Sequence, residues 1–168
     1  CLHPFIRNTV GCREFGGCFL NKRLNRNNDG GTTRRTTDIF QLATTVLFQN
    51  PVQNFALAPN NLKDVSPVCM DYMKTVPTTW DETCFIDGYP GKYVVLARRH
   101  GDTWYLAAVN AGKEIVKLKL DLDMFAGKTV SLYKDDKKGE PQLVPLKVKE
   151  NGKVQLEILP QGGVVLVN

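Results

Sequence analysis

Two different hydrophobic periodicities divide this chain near Pro77. Beyond that residue apolar and polar positions alternate, as in Val116, Leu118, Leu120 and Leu122. A period of two places one face of a strand in a core and the other face in water. Before Pro77 the apolar residues recur at helical spacing instead. Because one type of element cannot satisfy both patterns, the sequence predicts two structural units that meet near this proline.

The second unit, residues 79–168, contains a series of β-rich runs separated by turn signals that include glycine. The runs are Tyr93–Arg98, Trp104–Val109, Val116–Leu122, Val130–Leu132, Val144–Val148, Val154–Ile158 and Val164–Val167. Their number and spacing predict an all-β antiparallel β-sandwich that closes on its own core. Arg99-His100-Gly101-Asp102 predicts a hairpin turn. The segment Pro77–Pro90 is predicted to connect the two units, with Trp80 packed at their seam.

The first unit, residues 1–78, is predicted to be helix, strand, helix. Its first helix is capped by Thr37, stops before Pro51, and has a continuous apolar face formed by Ile39, Leu42, Ala43, Val46 and Leu47. A buried strand is predicted over Val52–Ala58, and Ser66-Pro67 begins the next helix. That order is typical of α/β architecture, in which a parallel strand needs neighbours. The unit therefore lacks the rest of its sheet.

Composition disfavours several classes of function. The five cysteines form no C-x-x-C pair and only two histidines accompany them, so we expect free thiols and no metal site. The basic stretch Asn21–Arg35 has no interleaved aromatic residue, which favours a solvated loop over a nucleic-acid surface. No apolar run is long enough to cross a bilayer. We therefore expect neither nucleic acid nor membrane as a partner.

Several motifs, in order along the chain, resemble the end of glycoside hydrolase family 97. They are Pro4-Phe5-Ile6-Arg7-Asn8-Thr9-Val10-Gly11, Arg35-Thr36-Thr37, Pro77-Thr78-Thr79-Trp80-Asp81-Glu82-Thr83, Gly91-Lys92-Tyr93, Ala97-Arg98-Arg99 and Gly101-Asp102-Thr103-Trp104-Tyr105. Glu14-Phe15-Gly16-Gly17 replaces the Asp-Tyr-Thr-Pro type of segment, and this makes the chain more similar to the retaining α-galactosidase branch than to the α-glucosidase branch.

The resemblance implies a fold for each unit. Residues 1–78 would be an α/β barrel remnant, the last units of a (β/α)8 barrel, followed by the antiparallel β-sandwich of residues 79–168. It also implies a parent enzyme that is periplasmic or secreted, cleaves α-linked galactosides with retention, and holds calcium near its active site. No cofactor is expected in the present chain. The nucleophile and the acid/base belong to motifs upstream of Cys1, so we expect this chain to be inactive alone.

Four polar residues are candidates for contact with the oligosaccharide substrate, because barrel active sites lie at the carboxyl ends of strands. Arg7 and Glu14 follow one predicted strand, and Asn60 and Asn61 follow the last one. Turn formation and ion pairing are the alternative roles for these residues. Two alternatives for the whole chain remain open: an α-glucosidase of the same family, or a non-catalytic sandwich that binds carbohydrate or packs against another domain. Self-association through the exposed barrel remnant is a further expectation.

Overall fold

The computed structural model describes residues 1–12, 18, 20, 34–57, 59 and 62–168. These residues form a layer of helices, a six-stranded antiparallel sheet and a two-stranded sheet. The helices are α1 (His3–Ile6), α2 (Asp38–Leu47) and α3 (Pro67–Thr75), and the strands are β1 (Glu82–Tyr89), β2 (Tyr93–His100), β3 (Thr103–Asn110), β4 (Val116–Asp121), β5 (Thr129–Asp135), β6 (Pro141–Lys147), β7 (Lys153–Ile158) and β8 (Gly163–Val167). The large sheet has the order β1-β2-β3-β8-β5-β6, and β4 pairs with β7.

Every β-rich run predicted from the sequence forms a strand. The predicted hairpin is present as well, because β2 and β3 pair in register around Gly101, whose φ of 56° suits a tight turn. One strand was missed, since β1 lies in the segment predicted to be a connection. Its pairing with β2 shifts register between Phe85 and Asp87. A bulge of this kind breaks the period of two on which strand prediction depends.

The core of the sandwich lies between the two sheets. The small sheet contributes the alternating residues of β4 and β7, whose polar neighbours Lys117, Lys119 and Glu157 point to solvent. From the large sheet, one face of β2, β3, β5 and β8 packs against them. The buried members of this cluster include Val95, Ala97, Leu106, Ala108, Leu118, Leu120, Val130, Val154, Leu156, Val164 and Leu166. The predicted β-sandwich is therefore confirmed.

The opposite face of the large sheet is also buried, and α2 covers it. The five apolar residues predicted to form one face of this helix are all buried. They pack with α3 and with the outer face of β2, β3 and β8 in a second cluster that includes Val94, Leu96, Tyr105, Ala107, Val109 and Val165. The central strands therefore have apolar residues on both faces. The chain accordingly has two cores separated by one sheet.

The beginning of α2 is fastened to the sheet by Asp135 at the end of β5. The Thr37 hydroxyl accepts a hydrogen bond from the Phe40 amide (3.1 Å), as expected of the N-cap, and donates one to Asp135 Oδ2 (2.8 Å). The same carboxylate oxygen accepts from the Gly163 amide at 3.0 Å. One buried carboxylate thus joins the start of a helix, the end of β5 and the start of β8.

Glycine at position 163 is required by the close approach of β8 to α2. A β-carbon built there would lie 2.8 Å from Phe40 Cα and 2.9 Å from the Ile39 carbonyl oxygen. Both atoms belong to the backbone and cannot rotate away. The helix and the strand therefore touch through their main chains at this point.

The strand predicted over Val52–Ala58 is wrong as an extended element. Within the described residues it reduces to one parallel bridge between Phe55 and Cys18. The Cys18 amide donates to Asn54 at 2.8 Å, and the Ala56 amide donates to Cys18 at 3.0 Å. Val52 is 63% exposed rather than buried. A parallel strand forms with paired neighbours on its edges, and the described residues supply a single bridging residue.

The pKa of Asp135 leads to a prediction about stability and pH. Burial raises the pKa of this carboxyl to about 6, although the hydrogen bonds from Gly163 and Thr37 oppose the shift. The folded state therefore holds a proton more tightly than the unfolded state, whose Asp pKa is about 3.9. Between these two values the free energy of unfolding falls as the pH rises. We expect Asp135→Asn to reduce the loss of stability between pH 5 and pH 7 by about 1 kcal/mol.

The measurement is urea unfolding of both proteins at the two pH values. Asp136→Asn is the matched control, because Asp136 is not buried and hydrogen bonds from the Glu140 and Lys138 amides lower the pKa of its carboxyl. The contribution of Asp136 to the free energy of unfolding changes below pH 4. Between pH 5 and pH 7 that contribution stays constant. An equal pH dependence in the wild type and in Asp135→Asn would contradict the role assigned to Asp135.

Candidate functional site

Only one of the four residues predicted to contact sugar lies in the described part of the chain. Arg7 is exposed and follows α1, not a strand, so the predicted strand before it is wrong. Pro4 at the start of α1 explains the difference, because its fixed φ and missing amide hydrogen suit the first turn of a helix. Glu14, Asn60 and Asn61 lie outside the described residues. Their roles, and that of Arg7, remain predictions.

Asn8, which sequence reasoning did not select, fastens the segment after α1 to the end of α2. Its Nδ2 donates to the Leu47 carbonyl at 2.7 Å, and its Oδ1 accepts from the Gln49 amide at 3.3 Å. The last carbonyls of a helix have no partner within the helix, so an outside donor stabilises them. The signal in the sequence was the position of Asn8 inside the Pro4–Gly11 motif.

Arg98 of β2 donates a hydrogen bond from the sheet to the carboxyl end of α2. Because successive side chains of a strand alternate, Arg98 points to the helical face as Val94 and Leu96 do. It is 1% exposed, and its Nη1 donates to the Phe48 carbonyl at 3.2 Å. Arg99, on the other face, instead pairs with Glu82 near the surface. A positive charge at the carboxyl end of a helix is favourable because it opposes the helix dipole.

Trp80 packs at this seam, as predicted. Its ring lies edge-on to Tyr105, with the centroids 5.3 Å apart, and the Arg98 guanidinium carbon is 5.9 Å from its centroid. These contacts place the ring against β2 and β3, and the ring also packs against the buried cluster that contains the apolar face of α2. The Trp80 motif therefore joins the helical layer to the sandwich.

A pocket of about 230 Å³ opens at the same seam, and we call it the seam pocket. Its walls come from the segment after α2, from the Thr78–Thr83 segment and from β2. The lining residues are Cys12, Gln49, Asn50, Pro51, Thr78, Thr79, Trp80, Thr83 and Arg98. Burial lowers the pKa of Arg98 to about 10. At neutral pH the guanidinium nevertheless stays charged, so the seam pocket has a positive wall.

A larger groove of about 630 Å³ lies between β5, β6 and β7 and is less suited to a sugar. Charged and amide side chains such as Lys134, Lys137, Gln155 and Glu157 line it, and it has no aromatic lining residue on which a sugar ring could stack. Asp135 reaches this groove, but its Oδ2 is occupied by Thr37 and Gly163. Its raised pKa therefore reflects its buried position at the start of α2.

The calcium ion that the resemblance implies belongs to the parent enzyme and remains a prediction. Among residues 1–12, 18, 20, 34–57, 59 and 62–168, no three acidic, histidine or cysteine side chains lie close enough together to hold a metal. The five cysteines all lie in this part of the chain and none is in a disulfide. Cys18 and Cys69 are buried, as expected, whereas Cys12 is exposed. No helix within the same residues has the length and apolar character needed to cross a membrane.

Comparison with known proteins identifies the sandwich. Residues 79–167 match the family model described as "Glycosyl-hydrolase 97 C-terminal, oligomerisation". This range begins just before β1 and ends with β8, so it covers both sheets. The chain belongs to glycoside hydrolase family 97.

Solved structures and a curated relative agree with this assignment to family 97. A structure described as a beta-arabinopyranosidase is 85% identical to the chain over 100% of its length, with a TM-score of 0.96. A variant of a family 97 enzyme from Pseudoalteromonas is 25% identical over 99% of the chain, with a TM-score of 0.80. The retaining alpha-galactosidase of Bacteroides thetaiotaomicron is 29% identical over an alignment of 135 residues, and this alignment covers 75% of the chain.

The chain spans only part of each of these family 97 proteins. It covers 27% of the chain in either solved structure and 20% of the curated relative. The match to the solved structures includes the helical layer as well as the sandwich, since it extends over nearly all of this chain. The seam between α2 and β2 is therefore part of the shared structure.

The hydrogen bonds of Asn8 lead to the prediction that it stabilises the seam. Asn8→Ala removes both bonds to the end of α2, and each such bond contributes roughly 0.5 to 1.5 kcal/mol net. We expect a loss of about 1 to 2 kcal/mol in the free energy of unfolding and faster hydrogen exchange at the Gln49 amide. Thr9→Ala is the control, because the one described hydrogen bond of the exposed Thr9 hydroxyl goes to the nearby Ile6 carbonyl. Equal effects of the two substitutions would contradict this role.

Proposed function

We propose that this chain is the carboxyl-terminal part of a retaining family 97 glycoside hydrolase that acts on α-D-galactopyranosides and on β-L-arabinopyranosides. The observation that carries the proposal is the 85% identity, over the whole chain, to a structure described as a beta-arabinopyranosidase. The name of the Bacteroides relative supports the galactoside and the retention of configuration. An α-glucosidase of the same family is the alternative.

The two proposed sugars are close stereochemical relatives. β-L-Arabinopyranose has the ring configuration of α-D-galactopyranose from C1 to C4 and lacks the hydroxymethyl group on C5. A binding site discriminates weakly against a ligand that lacks one small group, typically by about 10-fold to 200-fold. One enzyme is therefore expected to cleave both sugars, with the preference set by the space that surrounds C5.

In the proposed mechanism two carboxyl groups about 5 Å apart act on the glycosidic bond. An Asp carboxylate attacks the anomeric carbon while a Glu gives its proton to the leaving oxygen. The Glu then takes a proton from water, whose oxygen attacks the anomeric carbon and frees the Asp. Both groups belong to the protein upstream of Cys1, and we assign neither role to this chain. Arg7, Glu14, Asn60 and Asn61 remain proposed sugar contacts or supports for those carboxylates.

The remaining family expectations belong to the same proposal. They are a (β/α)8 barrel completed by upstream residues, with residues 1–78 as its end, calcium near the active site, and a periplasmic or secreted location. The two helices α2 and α3 that flank the Cys18–Phe55 parallel bridge are consistent with the end of a parallel barrel. In this arrangement α2 would serve two purposes, since one helix would close the barrel and also cover the sandwich.

Hydrolysis of nitrophenyl glycosides tests this function. The complete reading frame that encodes the chain and the 168-residue chain alone are each incubated with nitrophenyl α-galactoside, β-L-arabinopyranoside and α-glucoside. We expect the complete protein to cleave the first two within about 200-fold of each other, and the isolated chain to cleave none above the blank. NMR of the first product formed should show the starting configuration. Preference for the glucoside, or a reading frame without an upstream barrel, would contradict the proposal.

A second function, self-association, is favoured by an asymmetry between the two edges of the large sheet. β6 forms one edge and contains Pro141 and Pro145, which lack an amide hydrogen and discourage pairing with another strand. β1 forms the other edge and contains no proline. The matching family model is described with the word oligomerisation. We propose that β1 and the adjoining α1 contact a second copy of the chain.

The side chains on this edge suit such a contact. Phe5 of α1 packs edge-on against Phe85 of β1, with the ring centroids 5.8 Å apart, so the two elements form one surface. Phe85, Tyr89, Ile6 and Leu2 remain largely exposed on it. Exposed apolar side chains concentrated in one patch are typical of a protein interface. We call this set of four residues the β1 patch.

Sedimentation of variants tests the association. Ile6→Glu with Tyr89→Glu places like charges on the β1 patch of both copies, so we expect dissociation to occur at a concentration at least about tenfold higher than that needed for the wild type. Leu143→Glu on β6 is the matched control, because Leu143 is an exposed apolar residue on the opposite edge. A monomeric wild type, or equal weakening by the control, would contradict this function.

A further inference from the structure

Three buried nitrogen donors on the walls of the seam pocket lack a hydrogen-bond partner. They are Arg98 Nε, Asn50 Nδ2 and Trp80 Nε1. All three residues line the same pocket of about 230 Å³, and Arg98 and Asn50 are only 1% and 3% exposed. Burying a donor without a partner costs roughly 1 to 3 kcal/mol for each group. Three such groups around one pocket indicate that an acceptor belongs there.

The donor character of these groups is fixed by the structure. Guanidinium and indole nitrogens can donate but cannot accept. The amide of Asn50 could be placed in two orientations, but its Oδ1 accepts a hydrogen bond from the Val52 amide at 3.2 Å. That bond identifies the unpartnered atom of Asn50 as the NH2 nitrogen. The ligand must therefore supply oxygen acceptors.

The charge of the site limits the ligand to an anion. Arg98 brings one positive charge into the wall, and no described carboxylate forms an ion pair with it. Its one described hydrogen bond goes to the Phe48 carbonyl, which is neutral. A buried charge is strongly unfavourable unless it is paired, and the described residues supply no carboxylate to Arg98, so an anion of one unit would relieve this cost. A sugar hydroxyl would bring no charge and would add a donor to a wall that already has three.

We propose that the seam pocket binds a carboxylate group between Arg98, Asn50 and Trp80. A planar group with two acceptor oxygens can accept from all three nitrogens at once, and its single negative charge matches the single guanidinium. The volume suits an acetate-sized group with a few waters, each of which needs roughly 30 Å³. The carboxylate can come from a free small acid or from an acidic side chain of the protein.

NMR spectroscopy tests this proposal by following the indole N–H resonance of Trp80 in the 15N-labelled 168-residue chain. The chain contains two tryptophans, so Trp104→Phe assigns the Trp80 signal. Sodium acetate is titrated against sodium chloride at equal ionic strength. We expect acetate to move the Trp80 resonance in a saturable way and chloride to leave it unmoved. The Trp104 resonance serves as the internal control, because Trp104 lies outside the seam pocket.

A second titration distinguishes the two sources of the carboxylate. Without acetate, the pH is lowered from 7 to 3 while the Trp80 resonance is followed. A carboxylate of the protein that already occupies the pocket would move this resonance on protonation near pH 4 and would block the response to acetate. A free-acid site would respond to acetate and show no such transition. Asp81→Asn is included as a control, because Asp81 is an exposed carboxyl next to Trp80 in the sequence.

Two substitutions provide the decisive controls. Arg98→Met keeps the volume and removes the charge, so it should abolish both responses, and its folding is checked by thermal unfolding. Arg99→Met removes the neighbouring charge on the opposite face of β2 and should leave both responses intact. If Arg98→Met fails to fold, Arg98→Lys should weaken acetate binding by at least tenfold. Absence of both responses in the wild type, an equal response to chloride, or persistence in folded Arg98→Met would overturn the proposal.

Discussion

The docking of α2 on the outer face of the six-stranded sheet is the interaction on which the rest of the structure depends. Two buried side chains of opposite charge contact the two ends of α2. Asp135 contacts the amino end and Arg98 contacts the carboxyl end. Each charge stands at the end of the helix dipole that favours it. Both come from the sheet, so the strands determine where the helix begins and ends. The second core, the seam pocket and the position of Trp80 all follow from this arrangement.

Burial on both faces explains why the central strands differ from the outer ones. Val94 to Ala97 of β2 and Leu106 to Val109 of β3 are uninterrupted apolar runs, and every one of these residues is buried. Such runs are typical of strands covered on both sides. By contrast, β4 and β7 alternate because only one side of the small sheet is covered. A single sheet thus separates two cores, and the helices contribute to one of them only.

Much of this fold could be predicted from the sequence because its signals are local. The apolar face of α2, its Thr37 cap and the β2–β3 hairpin depend on residues close together in the chain, and all three were found. The bulge in β1 and the bonds of Asn8 to Leu47 depend on partners far away in sequence. The same is true of the site, since Arg98 is a surface residue by its chemistry and only the packing of α2 buries it. A strand over Val52–Ala58 would likewise need partners far away in sequence, and its one described partner is Cys18.

The end of α2 connects the segment after α1 to the large sheet. Asn8, in the motif that begins at Pro4, donates to the Leu47 carbonyl, and Arg98, which lies over the Trp80 ring, donates to the Phe48 carbonyl. A displacement of the sandwich would therefore be transmitted to the segment that carries Arg7. The two parts of the chain are coupled mechanically even though one is helical and the other is made of strands.

The main-chain contact at Gly163 has a consequence for how the protein is made. During translation α2 leaves the ribosome long before β8, yet the helix rests directly on that strand. The part of its apolar face that packs on β8 must stay uncovered until that strand is synthesised, and contacts between such distant segments form slowly. The nascent helix is therefore vulnerable to aggregation and to chaperone capture until β8 has been synthesised.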